Sequence, residues 1–474
     1  MSFDLHREPL EKAAREATKL FLEIYGGLES RRVDPGANHD ELQGLFQDTL
    51  TDEGVGVIQA LHEFRDRVLP NSMGTAHPLY LGLVNSSPFP AAALADLLVS
   101  SLNNNGGAFH QSPAMTAAEH EVVRVFAQMF HFPEPYSGML LPGGSIATLQ
   151  ALVLARARSF PPWQKHGPTA LEGQPLLYTS QAAHFSVHRS AITLGLGHDG
   201  VVALDGSGRG EIDVAALEER IDRDRRKGGR PFAVVATAGT TGTGAIDPLS
   251  PIADLCEREG LWLHVDACYG GAALLLDELQ TRFDGIGRAD SIAVDPHKWF
   301  FIPVTAALLL TRDVMFERDT FAVGDTSYIP QHGGVDAFLR GIPTSRRSSG
   351  LTVWMGLRAH GLSAVRGAVR SNIELTRLLE RLLAEGGFVV LPGGELSIAC
   401  ARCEGSENGP DEIDRLQQRI AAEVVESGEA WFSTTRHEGK TWLRFNLVNL
   451  HTREKHIRHL ADLVIETARD LAGR

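Results

Sequence analysis

The sequence lacks most of the features that would place a chain outside the ordinary globular classes. Four cysteines in 474 residues are too few for a disulfide framework. Cys400 and Cys403 form a C-x-x-C, but a zinc site would want a second ligand pair. Cys256 and Cys268 have the wrong spacing for one, so two thiols along a half-buried strand explain the motif and no metal is expected. No run of about 18 apolar residues occurs, and no membrane span is expected. The opening Met-Ser-Phe-Asp-Leu-His lacks the basic and then apolar pattern of a secretory signal. Basic residues are outnumbered: 45 Lys and Arg against 59 Asp and Glu leave a net charge of −14. That balance argues against nucleic acid or an anionic membrane as the main partner, while leaving room for a local phosphate site. A reducing cytoplasm is the expected location.

With 43% hydrophobic and 22% charged residues, the composition is that of a globular protein. The length suggests two to four domains at about 100–200 residues each. Residues 1–75 read as a helical arm. Leu10, Ala13, Ala17, Phe21, Ile24 and Leu28 recur at helical spacing, as do Val57, Leu61, Phe64 and Val68. Such an arm cannot bury its apolar face alone, so it is expected to pack on a partner subunit.

Residues 76–360 alternate short apolar runs with helical segments. Leu176 to Thr179, Phe232 to Ala238, Leu261 to Ala267, Ser291 to Val294 and Ala306 to Thr311 read as buried strands. Runs apolar on both faces and separated by helices suggest an α/β fold, a mostly parallel sheet covered on both sides. Residues 361–474 read as a smaller α/β domain. Its helices are Val369 to Leu383 and His456 to Leu471, and its strands Leu396 to Ala401 and Trp442 to Val448.

Active sites in such sheets lie beyond the carboxyl ends of the strands. Lys298 follows the run Ser291 to Val294 and precedes Trp299, Phe300, Phe301 and Ile302. A buried apolar setting is expected to lower its pKa, and a neutral amine is what Schiff-base chemistry requires. Asp266 ends an otherwise apolar strand. A buried carboxylate needs a cation, supplied either by an internal salt bridge or by a protonated pyridine nitrogen. Between Asp266 and Lys298 there is room for one helix and a return strand.

Gly143-Gly144-Ser145 opens a helix and leaves backbone N–H groups free for an anion. Thr237 follows another strand, in a segment that is either a polar loop or a cofactor contact. His184 follows a further strand. It is either a satisfied structural histidine or a ring that stacks on an aromatic group. A phosphate cradle, a stacking ring, an acid and a lysine at four strand ends form one coherent set.

At these residues the sequence resembles the group II amino-acid decarboxylases, the relatives of aromatic-L-amino-acid, histidine and glutamate decarboxylases. The resemblance runs from about Ala76 to Gly361. It rests on Asp295-Pro-His-Lys-Trp299, His264-Val-Asp-Ala267, Ser112-Pro-Ala114 and the run from Thr237 to Asp247. It implies a fold-type-I pyridoxal 5'-phosphate (PLP) architecture and an obligate homodimer with shared active sites. Lys298 matches the Schiff-base lysine, Asp266 the partner of the pyridine nitrogen and His184 the stacking histidine. Gly144, Ser145 and His297 match phosphate-holding positions, and Thr237 a cofactor contact. Thr344 and Ser345 fall where the neighbouring subunit approaches the phosphate.

Gly324-Asp-Thr-Ser-Tyr-Ile-Pro330 resembles the family's mobile loop, whose tyrosine, here Tyr328, returns a proton to the carbanionic intermediate. Phenylalanine is usual there in aldehyde-forming relatives, so Tyr328 favours simple decarboxylation. Asp295 stands where the animal aromatic decarboxylases have asparagine. A carboxylate so near a phosphate would be repelled, so it should point away or pair with a donor. Cys268 replaces a common alanine, a change a small thiol tolerates.

The expected substrate is an L-amino acid with an aromatic or other uncharged side chain, in a pocket of Tyr80, Ser86, Phe109 and His110. Ser86 and Leu83 replace a threonine and a tyrosine of the aromatic enzymes. The rival readings are an oxidative aldehyde-forming enzyme, a transaminase or carbon–sulfur lyase of the same fold, and a silent cofactor-binding protein.

Overall fold

The computed structural model describes residues 7–322, 324, 326, 329–330, 334–404 and 409–472. Tyr328 lies outside the described residues. The apolar runs become the central sheet: β1 (Ser137–Leu141), β2 (Pro175–Ser180) and β3 (Val201–Leu204), then, after a small hairpin of β4 (Gly206–Ser207) and β5 (Glu211–Ile212), the strands β6 (Arg230–Thr237), β7 (Trp262–Asp266), β8 (Ser291–Val294) and β9 (Ala307–Thr311). The seven strands follow the order β1-β9-β8-β7-β6-β2-β3. β3, β2, β6, β7 and β8 pair in parallel, while β9 runs antiparallel to both β8 and β1. Six strands therefore point the same way, and their carboxyl ends share one edge. β9 can run against them because the segment joining it to β8 is a loop rather than a crossover helix.

Side chains alternate between the two faces of the sheet. Along β6, Ala233 and Val235 pack with Leu152 and Ala155 of the helix Gly144–Ser159. Val234 and Ala236 pack with Leu217 and Ile252 of the helices Val214–Arg226 and Leu249–Glu259. Both faces are covered, so the strands read as continuous apolar runs.

The connection from Asp266 to Lys298 differs from expectation. It holds no α-helix but three 3-10 segments, Gly270–Leu275, Asp277–Phe283 and Ile286–Arg288, before β8. Gly270 explains part of this, since a Cβ there would lie 2.2 Å from the Ala238 carbonyl oxygen. The chain must hug the sheet edge at that point instead of lifting off into a helix.

A second sheet is built of β10 (Val389–Val390), β11 (Ile398–Arg402), β12 (Ser433–His437) and β13 (Lys440–Asn446), ordered β10-β11-β13-β12 and antiparallel throughout. It shares a core with Leu379, Ile420 and Leu460 of the helices Ser349–Glu385, Pro410–Ser427 and Glu454–Ala472. The first of these helices is broken at Gly361, whose φ of 76° leaves the helical region. Leu79, Tyr80 and Leu81 join this second core, so the chain reaches across to it well before Gly361.

Candidate active site

Five strand ends and the start of β9 surround a cavity of about 270 Å³. Gly144, Ser145, His184 and Thr237 line it, together with Asp266, Cys268, Asp295, His297 and Lys298. All nine were singled out from the sequence.

The loop after β1 turns at Gly143, with φ 111°, into the sixteen-residue helix Gly144–Ser159. The first N–H groups of that helix have no partner within it, and its dipole favours an anion. Gly144 has no room for a side chain, because a Cβ there would lie 2.7 Å from Cys268 Sγ and 2.8 Å from Asp295 Oδ2.

Thr237, at the end of β6, donates its N–H to Asp247 Oδ2 at 2.6 Å. Asp247 Oδ1 accepts the Ile212 N–H at 2.8 Å. Burial pushes the Asp247 carboxyl up to about 7. The Thr237 hydroxyl is buried with no partner among the described residues. Sequence reasoning missed Asp247, although it closes the motif that begins at Thr237.

Asp266, the last residue of β7, accepts the Cys268 N–H at 3.0 Å. Burial works to raise its pKa, but the Lys298 ammonium and the Cys268 N–H outweigh burial and hold it below the ordinary value. His184 Nδ1 lies 2.8 Å from Ser186 Oγ and 3.3 Å from the Ser186 backbone nitrogen, contacts that fix the orientation of the ring. Burial lowers its pKa, which keeps the imidazole neutral. The Ser86 hydroxyl donates to the His297 carbonyl oxygen at 3.3 Å.

Lys298 corrects an expectation. Trp299, Phe300, Phe301 and Ile302 are buried, but they pack into the core behind the lysine. Nζ itself lies 2.9 Å from Asp295 Oδ2. Burial lowers the Lys298 pKa, yet Asp295, Cys268 and Asp266 together overcome it and hold the pKa above the usual lysine value. In the cofactor-free chain the amine is charged, not neutral. Asp295 pairs with a donor as its place near an anion site demands.

Tyr80, Phe109, His110, Thr344 and Ser345 do not reach this cavity within one chain. Tyr80 stacks on Trp431 at 5.4 Å, in the second core. Phe109 and Ser345 line two other openings. Sequence reasoning also missed Arg444 on β13. It is buried, donates to the Thr241 and Gly82 carbonyl oxygens at 2.8 and 3.0 Å, and leaves Nη2 without a partner among the described residues. Thr241 lines the cavity. The signal was available: one guanidinium inside the apolar run Trp442 to Val448. Cys400 and Cys403 are free thiols, and no metal-ligand cluster occurs among the described residues.

Fold and cavity together define a fold-type-I PLP enzyme. The crystal structure of Oryza sativa TDC with PLP and tryptamine superposes with a TM-score of 0.94, covering 99% of this chain and all of that one. At 24% identity this likeness shows the fold. A family model described as the pyridoxal-dependent decarboxylase conserved domain matches residues 43–398, and the chain belongs to that family. It is 30% identical to the aromatic-L-amino-acid decarboxylase of Bacillus atrophaeus over 95% of this chain and 94% of the relative. It is 32% identical to the L-2,4-diaminobutyrate decarboxylase of Rhizobium meliloti (strain 1021) over 92% and 87%. Its reaction is thus the PLP-dependent decarboxylation of an amino acid.

The residues present fit that cofactor. The partnerless Thr237 hydroxyl, the side-chain-free cradle at Gly144 and the helix N-terminus beside a lysine and a carboxylate are its complements.

Proposed function

We propose that the chain decarboxylates an L-amino acid with an uncharged side chain, aromatic or otherwise, to the corresponding amine. The observation that carries this is a count of cations. Every amino-acid substrate brings one α-carboxylate, and Arg444, bonded through Nε to Thr241 of the lining and with Nη2 unpartnered among the described residues, is the guanidinium offered to it. Among the described residues lining the cavity, Lys298 is the only lysine or arginine, so the lining offers no further cation for a side-chain carboxylate.

Bound PLP supplies an electron sink for the pair left behind when the bond from Cα to the carboxylate breaks. The chain's residues do the rest. The helix start at Gly144 and Ser145 holds the phosphate. Asp266, on the cavity wall, would hold the ring nitrogen protonated. His184, neutral with Nδ1 tied to Ser186, offers a flat face for stacking. Thr237 donates its free hydroxyl. Lys298 would hold the cofactor through its amine. Tyr328 returns a proton to Cα, a role that rests on the motif Gly324 to Pro330 alone.

Two copies form the working unit in this reading. The helix Pro90–Leu102 leaves Leu97 62% and Leu102 59% exposed, and the arm before residue 76 leaves Leu22, Phe46 and Leu50 uncovered. Phe109, His110, Thr344 and Ser345 would then serve the partner's cavity. The proposed units are 1–75, 76–360 and 361–474, the last boundary supported by the break at Gly361. No described helix is long and apolar enough to cross a membrane, and four free thiols suit a reducing cytoplasm.

The holoenzyme, incubated with the common L-amino acids, should release carbon dioxide and an amine from an aromatic or uncharged substrate. Turnover confined to aspartate, glutamate or cysteine sulfinate would overturn the substrate class. An aldehyde product with peroxide would overturn simple decarboxylation.

A further inference from the structure

Resting on the reading of Lys298 as the cofactor lysine, we propose that Asp295 is the permanent counter-ion of the Lys298 nitrogen. It keeps that nitrogen positively charged both as the free amine and after condensation with an aldehyde.

The placement is specific. Asp295 follows β8, is 2% exposed, and sits three residues before Lys298 in a turn closed by the Lys298 N–H on the Asp295 carbonyl oxygen at 2.9 Å. Oδ2 lies 2.9 Å from Nζ, while Oδ1 is buried with no partner among the described residues. The carboxylate also borders the cradle, since a Cβ at Gly144 would lie 2.8 Å from Oδ2 and 3.0 Å from Oδ1. A buried anion beside a phosphate site is costly unless a cation stays with it. Lys298 is the cation in reach.

The other charged and titratable groups facing Nζ do not replace Asp295. Asp266 and Cys268 approach from the end of β7, and the Asp266 carboxylate is already held by the Cys268 N–H. His184 comes from the loop after β2 and is neutral. His297 Nε2 stands 3.8 Å from Asp295 Oδ2, farther from that oxygen than Nζ is.

Condensation conserves the charge. The ammonium gives up one proton to free its lone pair, the nitrogen bonds to the aldehyde carbon, that proton and a second N–H hydrogen leave with the aldehyde oxygen as water, and one hydrogen and the positive charge remain on the doubly bonded nitrogen. The ion pair with Asp295 therefore survives the step. A protonated linkage is also the electrophilic one, so Asp295 prepares the site for attack by a substrate amine.

The test is a pH titration of the long-wavelength absorption band of the holoenzyme, which reports the protonated linkage without turnover. Wild type should hold the band to about pH 9 or above, because an opposite charge in contact favours the charged form. Asp295→Asn should lower the midpoint by about one to three pH units. An unchanged or raised midpoint in the variant overturns the proposal, and so does a wild-type band that fades near neutral pH, a measurement that needs no variant. A band that persists in Lys298→Ala would instead remove the reading of Lys298 on which the proposal rests.

Discussion

Asp247 pins Thr237, a residue of the cavity wall: its carboxylate takes the Thr237 N–H at 2.6 Å, while the hydroxyl has no partner among the described residues. The same carboxylate holds the Ile212 N–H, so one buried acid ties the end of β6 to β5. Its carboxyl is raised from 3.8 to about 7 by burial. A raised carboxyl stabilises the fold when protonated. The contribution is complete below about pH 4 and is lost as pH rises to about 7. Wild type should therefore lose stability across that window by on the order of 1 kcal/mol per pH unit. Asp247→Asn, which cannot ionise, should show a flatter profile in thermal melts at pH 5, 6 and 7. Parallel profiles would remove this role.

Gly144→Ala should weaken PLP binding at least tenfold. Its methyl group would meet Cys268 Sγ at 2.7 Å and Asp295 Oδ2 at 2.8 Å, both on rigid strand ends. Overpacking of this kind costs about 1–3 kcal/mol. Spectrophotometric titration of the apoenzyme with PLP measures the effect, and wild-type affinity in the variant would show that the cradle yields.

Asp266→Asn removes the anion but keeps the shape. The ring nitrogen loses its protonating partner, and kcat should fall by on the order of 100-fold or more. The lysine-linked absorption should remain, because Lys298 is intact. A variant with near-normal kcat would contradict the pairing.

Arg444→Gln should raise KM by about 10- to 100-fold, the worth of one charged hydrogen bond at roughly 1.5–3 kcal/mol. The rise should be equal for every amino acid the enzyme accepts, since each carries the same α-carboxylate. A rise confined to acidic amino acids would move Arg444 to a side-chain subsite.

Much of this was legible in the sequence. The strand runs were clear because both faces of the sheet are covered, so no polar residue interrupts Phe232 to Ala236 or Ser291 to Val294 beyond the terminal serine. Of the nine cavity residues, His184, Cys268, Asp295, His297 and Lys298 follow such runs, Thr237 and Asp266 lie near the ends of theirs, and Gly144 and Ser145 stood out as a Gly-Gly-Ser helix start. The sign of the Lys298 shift was not. Hydrophobic neighbours in sequence sit behind the amine, whereas the Asp295 carboxylate, three residues away, meets Nζ only once the turn forms, and Asp266 arrives from β7 only after folding. Arg444 was missed for the same reason: it lies on a strand of the second sheet and reaches the cavity rim through Thr241. The 3-10 path after Asp266 depends on the contact of Gly270 with Ala238, which no local pattern announces.

The most direct measurement is borohydride reduction of the holoenzyme followed by peptide mapping in the mass spectrometer. Lys298 should carry the pyridoxyl group, on the peptide that also contains Asp295 and Trp299. A pyridoxyl group on any other lysine, in enzyme that was active before reduction, would contradict the site built on Lys298 and Asp266.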